Sequence, residues 1–353
     1  MTTTPDKEQR DNRQIAVWLL VCCGLVYCMI ILGGVTRLTH SGLSMVEWEP
    51  IVGTIPPLSQ NEWEETFQKY QQFPEYQKLN RGMSLDEFKS IFWFEYAHRL
   101  LGRSIGIVFL LPFLYFLFAR KVSRSLVPKL VVMFVLGGLQ GLLGWYMVKS
   151  GLVDKPHVSQ YRLTAHLMVA VAIYSYMLWV ALSLLSPTAG NANSPGIATL
   201  RRYAVGVTAL VILMILSGGF VAGTRAGFAF NTFPLMQGYF FPPGMFAMDP
   251  AYINLFENIA TVQFNHRIFA YVLCIAIPLF WFASRRFTLN VRTQAGFHVL
   301  LIALVLQVIL GISTLLLVVP VPLAAAHQGG ALIVLTAALF INHELRRHSA
   351  DSR

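Results

Sequence analysis

Charge is what this chain has least of. Asp, Glu, Lys and Arg together make up 12% of its 353 residues, about half the ~25% of soluble domains, and that excludes an ordinary soluble fold. Cysteine is scarce as well. Cys22, Cys23, Cys28 and Cys274 all lie within apolar runs and lack metal-type spacing, so neither a disulfide framework nor a zinc site is expected. Acids are outnumbered by bases, 17 to 27. The resulting net charge of +10 sits in short clusters between apolar runs rather than along one face or tail, and nucleic acid is not an expected partner. The segment Met1 to Gln14 has neither a signal-peptide cleavage pattern nor the Arg-rich, acid-poor bias of a transit peptide. The first apolar run is therefore expected to be a retained helix.

What is abundant is apolar surface, 55% of the chain. A bilayer-crossing helix takes ~20 apolar residues, and eight such runs occur, over 15–36, 93–119, 127–148, 161–185, 203–223, 262–284, 295–318 and 323–342. The expected fold is an all-α integral membrane protein. Basic residues cluster before the first run (Lys7, Arg10, Arg13), between the second and third (Arg120, Lys121, Arg124, Lys129) and before the fifth (Arg201, Arg202). They recur between the sixth and seventh (Arg285, Arg286, Arg292) and after the eighth (Arg346, Arg347, Arg353). All five clusters fall on one side of an eight-helix chain, which predicts cytoplasmic tails over 1–14 and 343–353. The opposite side receives a Glu-rich segment, 37–92, and an aromatic, proline-rich one, 225–258.

The chain also repeats itself. Gly33-Gly34-Val35-Thr36-Arg37 returns as Gly218-Gly219-Phe220 followed by Thr224-Arg225. His98-Arg99 returns as His266-Arg267, 168 positions on (266 − 98). Leu139-Gln140-Gly141 and Gly144 match Leu306-Gln307-Val308 and Gly311, and Ala165-His166 matches Ala326-His327. Four helices make one unit, so residues 15–186 and 203–342, joined by a linker over 187–202, are expected to form tandem four-helix bundles of the same orientation. A pseudo-two-fold axis along the membrane normal would relate them.

Ionisable side chains within membrane helices are costly and usually functional. His98, His166, His266 and His327 fall near the outer ends of four helices, two in each unit, where a bundle core can hold a metal macrocycle by two axial imidazoles. His298 has no counterpart in the repeat; with His40, His157, His343 and His348 it is expected to be solvated or structural, His40 being the nearest to an exception. For Arg99 and Arg267, as for Arg37 and Arg225, two readings stay open: pairing with a carboxylate of a bound macrocycle, or snorkelling to headgroups. Gln140 and Gln307 are expected to bond between helices. Gly102, Gly106, Gly137, Gly138, Gly141 and Gly144 are expected to permit close helix approach. Glu95 breaks the repeat. It lies one turn before His98, and the matching position holds Gln263. A buried acid suits proton transfer; the plain alternative is an ion pair with Arg99.

The runs from Gly33 to Met45, Glu95-Tyr96-Ala97-His98-Arg99 and Asn265-His266-Arg267 resemble the heme A synthase family, in particular its mitochondrial and alphaproteobacterial branch. That resemblance implies oxidation of the C8 methyl group of heme O to a formyl group, by two hydroxylations and loss of water. It implies heme b as cofactor on His266 and His327, heme O as substrate on His98 and His166, and Glu95 as the catalytic carboxylate. Further implied partners are a heme O synthase as donor and membrane quinol or another electron donor. Some members carry a cysteine pair in the first outer loop, and this chain has none there. A di-heme electron-transfer cytochrome and a tandem-repeat transporter are the competing expectations.

Overall fold

The computed structural model describes residues 5–46, 52–151, 158–186 and 196–350. Among these the architecture is helical throughout, with no strand beyond an isolated bridge between Met236 and Tyr239. Ten α-helices follow in order: α1 Pro5–Leu38, α2 Gln60–Gln71, α3 Pro74–Lys78, α4 Leu85–Phe118 and α5 Val127–Gly151, then α6 Gln160–Leu185, α7 Ile197–Thr224, α8 Ile259–Ser284, α9 Val291–Leu316 and α10 Val321–Ala350. All but α2 and α3 are long and apolar enough to cross a membrane.

Several helices overrun the apolar stretches that define them. α1 begins in the segment expected as a tail, α10 runs on through the other, and α4 starts at Leu85 rather than near Trp93. Hydropathy marks only the lipid-facing length; the backbone continues helical in water where its end groups are satisfied. At α4 this is done by a capping box, with Ser84 accepting from the Glu87 N–H and Glu87 returning to the Ser84 N–H.

The helices of each half share one pattern of neighbours. α1 packs on α4 and α6, and α5 touches α4 and α6; α7 packs on α8 and α10, and α9 touches α8 and α10. Between halves, α1 meets α10, and α6 meets α7 and α10. One apolar core joins them, from Leu19 on α1 through Ala181 and Leu200 to Leu335. A second, separate core sits where α2 and α3 fold against the outer part of α4, built from Trp63, Tyr70, Phe88, Phe92 and Tyr96.

Candidate functional site: two imidazole pairs and one buried carboxylate

His166, His266 and His327 come six or seven residues after the first residue of their helices, about 9–11 Å in at ~1.5 Å per residue. His98 lies deeper in α4 because that helix begins beyond the membrane. Each imidazole is seated on a helix glycine of its own half. A Cβ on Gly33 would lie 3.2 Å from His98, on Gly144 3.0 Å from His166, on Gly218 3.3 Å from His266 and on Gly311 2.8 Å from His327. These four glycines are the repeat motif itself. Its second glycine has another task, since a Cβ on Gly34 would collide with Gln328 of the other half and one on Gly219 would come within 3.0 Å of Thr164. Gly-Gly thus holds an imidazole with its first member and admits the opposite bundle with its second.

The glycines do not all behave alike. Gly144 and Gly102 meet neighbours as expected, whereas Gly106, Gly137, Gly138 and Gly141 have nothing within 4 Å. Those four lie on exposed faces of α4 and α5, so no helix approaches there. The glutamines behave as expected in both halves. Gln140 Nε2 donates to the His166 carbonyl at 2.9 Å and Gln307 Nε2 to the His327 carbonyl at 2.8 Å, tying α5 to α6 and α9 to α10.

In the second half the His266 and His327 rings stand 6.4 Å apart, centroid to centroid, at 78°. A metal bound ~2 Å from each imidazole nitrogen, with ring centroids a further ~1.2 Å back, requires a separation of ~6 Å. Two imidazoles at this spacing fit the axial set of a heme iron. Among the described residues no cluster of three His, Cys, Asp or Glu side chains could hold a bare ion. Ser217 Oγ lies 2.8 Å from His266 Nδ1, which engages that nitrogen and leaves Nε2 to ligate. The Nδ1 atoms of His166 and His327 are buried without a hydrogen-bond partner. The position matching Ser217 in the first half is Leu32, and none of the described hydrogen bonds reaches the His98 ring.

Glu95 is 3% exposed and its carboxylate is fully engaged. Arg99 Nη2 donates to Oε1 at 2.6 Å, while Ser44 Oγ and the Met45 N–H donate to Oε2 at 2.7 and 2.8 Å. The ion pair that the sequence left open is therefore present, and it also clamps the first outer loop onto α4. Gln263 does the matching task with opposite polarity. Its amide donates to the Ala226 and Ala229 carbonyls at 2.7 and 2.5 Å and its Oε1 accepts from Arg267 at 3.0 Å. Arg99 and Arg267 also bond to loop carbonyls, of Met45 in one case and of Phe230 and Pro234 in the other. Sequence reasoning offered headgroups or a macrocycle for these two arginines and missed the loops. Arg37 reaches across to the Ala222 carbonyl at 3.4 Å, and Arg225 Nη2 donates to His40 Nδ1 at 3.2 Å, so this pair lies where the halves meet.

Of the remaining histidines, His298 accepts from Trp281 Nε1 at 3.1 Å, and His343 is buried beside Trp179 with Ser183 Oγ 3.2 Å away. Both are structural, as expected. His157 and the His348 side chain lie outside the described residues.

Eight membrane-length helices, two imidazole pairs on glycine seats and a carboxylate beside one pair define a polytopic membrane protein with a repeated histidine site. Residues 16–339 match the model of the COX15-CtaA family, described as cytochrome oxidase assembly protein, and the chain belongs to that family. It is 59% identical to the heme A synthase of Nitrosospira multiformis over 98% of each chain. It is 50% identical to that of Paramagnetospirillum magneticum over 95% of each. With the human heme A synthase COX15 it shares 49% identity over 95% of this chain and 83% of the human one.

Proposed function

We propose that this protein is a heme A synthase, an oxidoreductase that converts the C8 methyl group of heme O to a formyl group by two hydroxylations and dehydration. The relatives' names support the reaction, and one observation carries the division of labour: two matched imidazole pairs, with a carboxylate beside only one of them. As a half-reaction, methyl plus one water gives formyl, four protons and four electrons, so the site must exchange both.

His98 and His166 hold the substrate heme O. Gly33 and Gly144 set how closely their rings lie to α1 and α5. Glu95, one turn from His98, is the carboxylate that receives or returns protons at the substrate; Ser44, Met45 and Arg99 hold its two oxygens in place. His266 and His327 would hold heme b, which when bound supplies a one-electron redox centre. Ser217 fixes the His266 ring for that purpose. Arg37 and Arg225, facing each other between the halves, are assigned to the propionate side; Arg99 and Arg267 serve the outer loops.

The shared pattern of helix neighbours supports the tandem arrangement. The basic clusters and the bacterial relatives support a cytoplasmic membrane location with both termini inside and the heme sites outward. A heme O synthase as donor and an oxidant that takes up the four electrons complete the reading; where that oxidant is O2, membrane quinol or another electron donor supplies the two electrons that each hydroxylation consumes. Pigment analysis of the purified protein expressed with a heme O supply tests it. Heme b with heme O and heme A is the expected content; heme b alone under turnover conditions overturns the synthase and favours an electron-transfer cytochrome.

A further inference from the structure

The two outer segments differ in what they present to their surroundings. Glu62, Glu64, Glu65, Lys69 and Lys78 give α2 and α3 a charged surface, whereas residues 226–248 hold no Asp, Glu, Lys, Arg or His. Phe233, Leu235, Tyr239, Phe240, Phe241 and Phe246 of that second stretch nevertheless stand exposed, Phe241 by 67% and Phe246 by 71%. A contiguous patch of that kind is not a normal water-facing surface.

Its path is set by α8. Gln263 donates to the Ala226 and Ala229 carbonyls, Arg267 to those of Phe230 and Pro234, and the Tyr271 hydroxyl to Pro234 as well, at 3.3 Å. These three side chains recur every fourth residue, so the chain descends one face of α8 as far as Tyr271, whose ring lies 6.4 Å from that of Phe233. It then climbs back. Phe240 and Phe241 meet Phe264, and the Met245 carbonyl accepts from the Thr261 hydroxyl. The depth of the tip follows from the other end of the helix, where Arg285 and Arg286 succeed Ser284. Tyr271 lies ~21 Å from Arg285 at ~1.5 Å per residue, inside a hydrocarbon core of ~30 Å. Helix side chains lean towards the N-terminus, here outward, so the tip enters the outermost part of the core.

Non-helical backbone at membrane depth needs partners within the protein, and this segment has them. Besides the bonds from Arg267 and Tyr271, Met236 and Tyr239 exchange both backbone bonds, and the Thr232 hydroxyl donates to the Leu235 carbonyl while accepting from the Gln237 N–H. Asn231 Nδ2 donates to the Gly227 and Leu315 carbonyls. Backbone groups bond inward and the rings face out. Below the tip the exposed surface runs on without a break in kind, as Ile275, Leu279 and Phe282 of α8.

We propose that residues 230–246 form a re-entrant hairpin immersed in the outer leaflet, with lipid acyl chains as the partner of its aromatic face. The hairpin rests on the helix spans, and on the proposed orientation only for which leaflet receives it. It walls the lipid side of the second half: Arg267, next to His266, is 8% exposed and bonded to hairpin carbonyls, so acyl chains meet the hairpin instead of the arginine. The described part of the first outer segment, with its charged α2 and α3, gives the other half no equivalent.

Depth is measurable by collision of a spin label with O2, which concentrates among acyl chains, against a water-soluble nickel chelate. Leu235→Cys, Phe241→Cys and Phe246→Cys would each be labelled in the full-length protein in phospholipid nanodiscs, with Cys28→Ser and Cys274→Ser in the background; Cys22 and Cys23 are buried and stay. Leu279→Cys on exposed α8 and Glu64→Cys on α2 mark the lipid and water extremes. O2 should outweigh the chelate several-fold at Leu235→Cys and Phe241→Cys, and the ratio should fall in the order Leu235, Phe241, Phe246 as the hairpin climbs. Where one labelled variant fails to assemble, Tyr239→Cys on the same turn replaces it. Chelate-dominated collision at both Leu235→Cys and Phe241→Cys, as at Glu64→Cys, would overturn the proposal and make the aromatic face a docking surface for a protein outside the membrane. The reading needs neither turnover nor a known orientation, so failure of the synthase reading leaves it untouched.

Discussion

The two halves give their imidazoles the same seat and then part company at two positions. On both sides a glycine of the first helix and one of the third face the ring pair, and a glutamine bonds to the carbonyl behind the second histidine. Against that shared frame, Glu95 stands where the other half has Gln263, and Leu32 where the other half has Ser217. The half without the acid has a hydroxyl on one of its two imidazoles, His266, whereas in the half with the acid none of the described hydrogen bonds reaches either ring. A resident cofactor gains from a fixed ring, whereas a substrate that must enter and leave does not. On the function proposed above, these two positions separate the half that keeps its heme from the half that processes one.

The comparison breaks most completely at the ligands. His266→Ala or His327→Ala should abolish retention of heme b, read from the absorbance of the purified protein, whereas His98→Ala should leave that absorbance and abolish heme A. Loss of heme b from the His98 variant would mean the halves are not separable. Filling a seat comes next. Gly311→Ala brings a methyl to 2.8 Å and Gly144→Ala to 3.0 Å from an imidazole, closer than a neighbour accepts without moving. The first should deplete heme b and the second heme A. Ser217→Ala should weaken heme b retention by ~10–100-fold, the usual cost of losing a hydrogen bond behind a metal-bound histidine, and Leu32→Ser should tighten substrate heme at the expense of turnover. The smallest effect belongs to Gln140→Ala, one interhelical bond worth ~0.6–2 kcal/mol in a membrane bundle, visible as a modest drop in thermal stability with both pigments kept.

Much of this frame is legible in the chain itself. Eight spans follow from apolar length, the four histidines from their repetition, and the Glu95 to Gln263 break from aligning one half on the other. What the chain hides is where its loops return. Arg99 and Arg267 bind carbonyls 54 and 37 or fewer positions away, and no periodicity within α4 or α8 announces that. The roles of Gly33 and Gly34 are likewise invisible, since identical neighbours face an imidazole and another helix. Glu75 shows the same limit from the other side: it sits in a short polar stretch that reads as surface, and only the fold of α2 and α3 onto α4 buries it.

Glu95→Gln tests the central claim most directly, because it gives the first half the residue that the second half already has. Gln can still accept from Arg99 through its oxygen and donate to Ser44 Oγ through its amide, so the group keeps its shape while the ion pair and the Met45 N–H bond are lost. Heme composition would be measured in the purified variant supplied with heme O. Heme b and heme O at wild-type levels, with heme A formation reduced by ~10²-fold or more, is the predicted result. Undiminished heme A would contradict it and return Glu95 to the role of loop clamp.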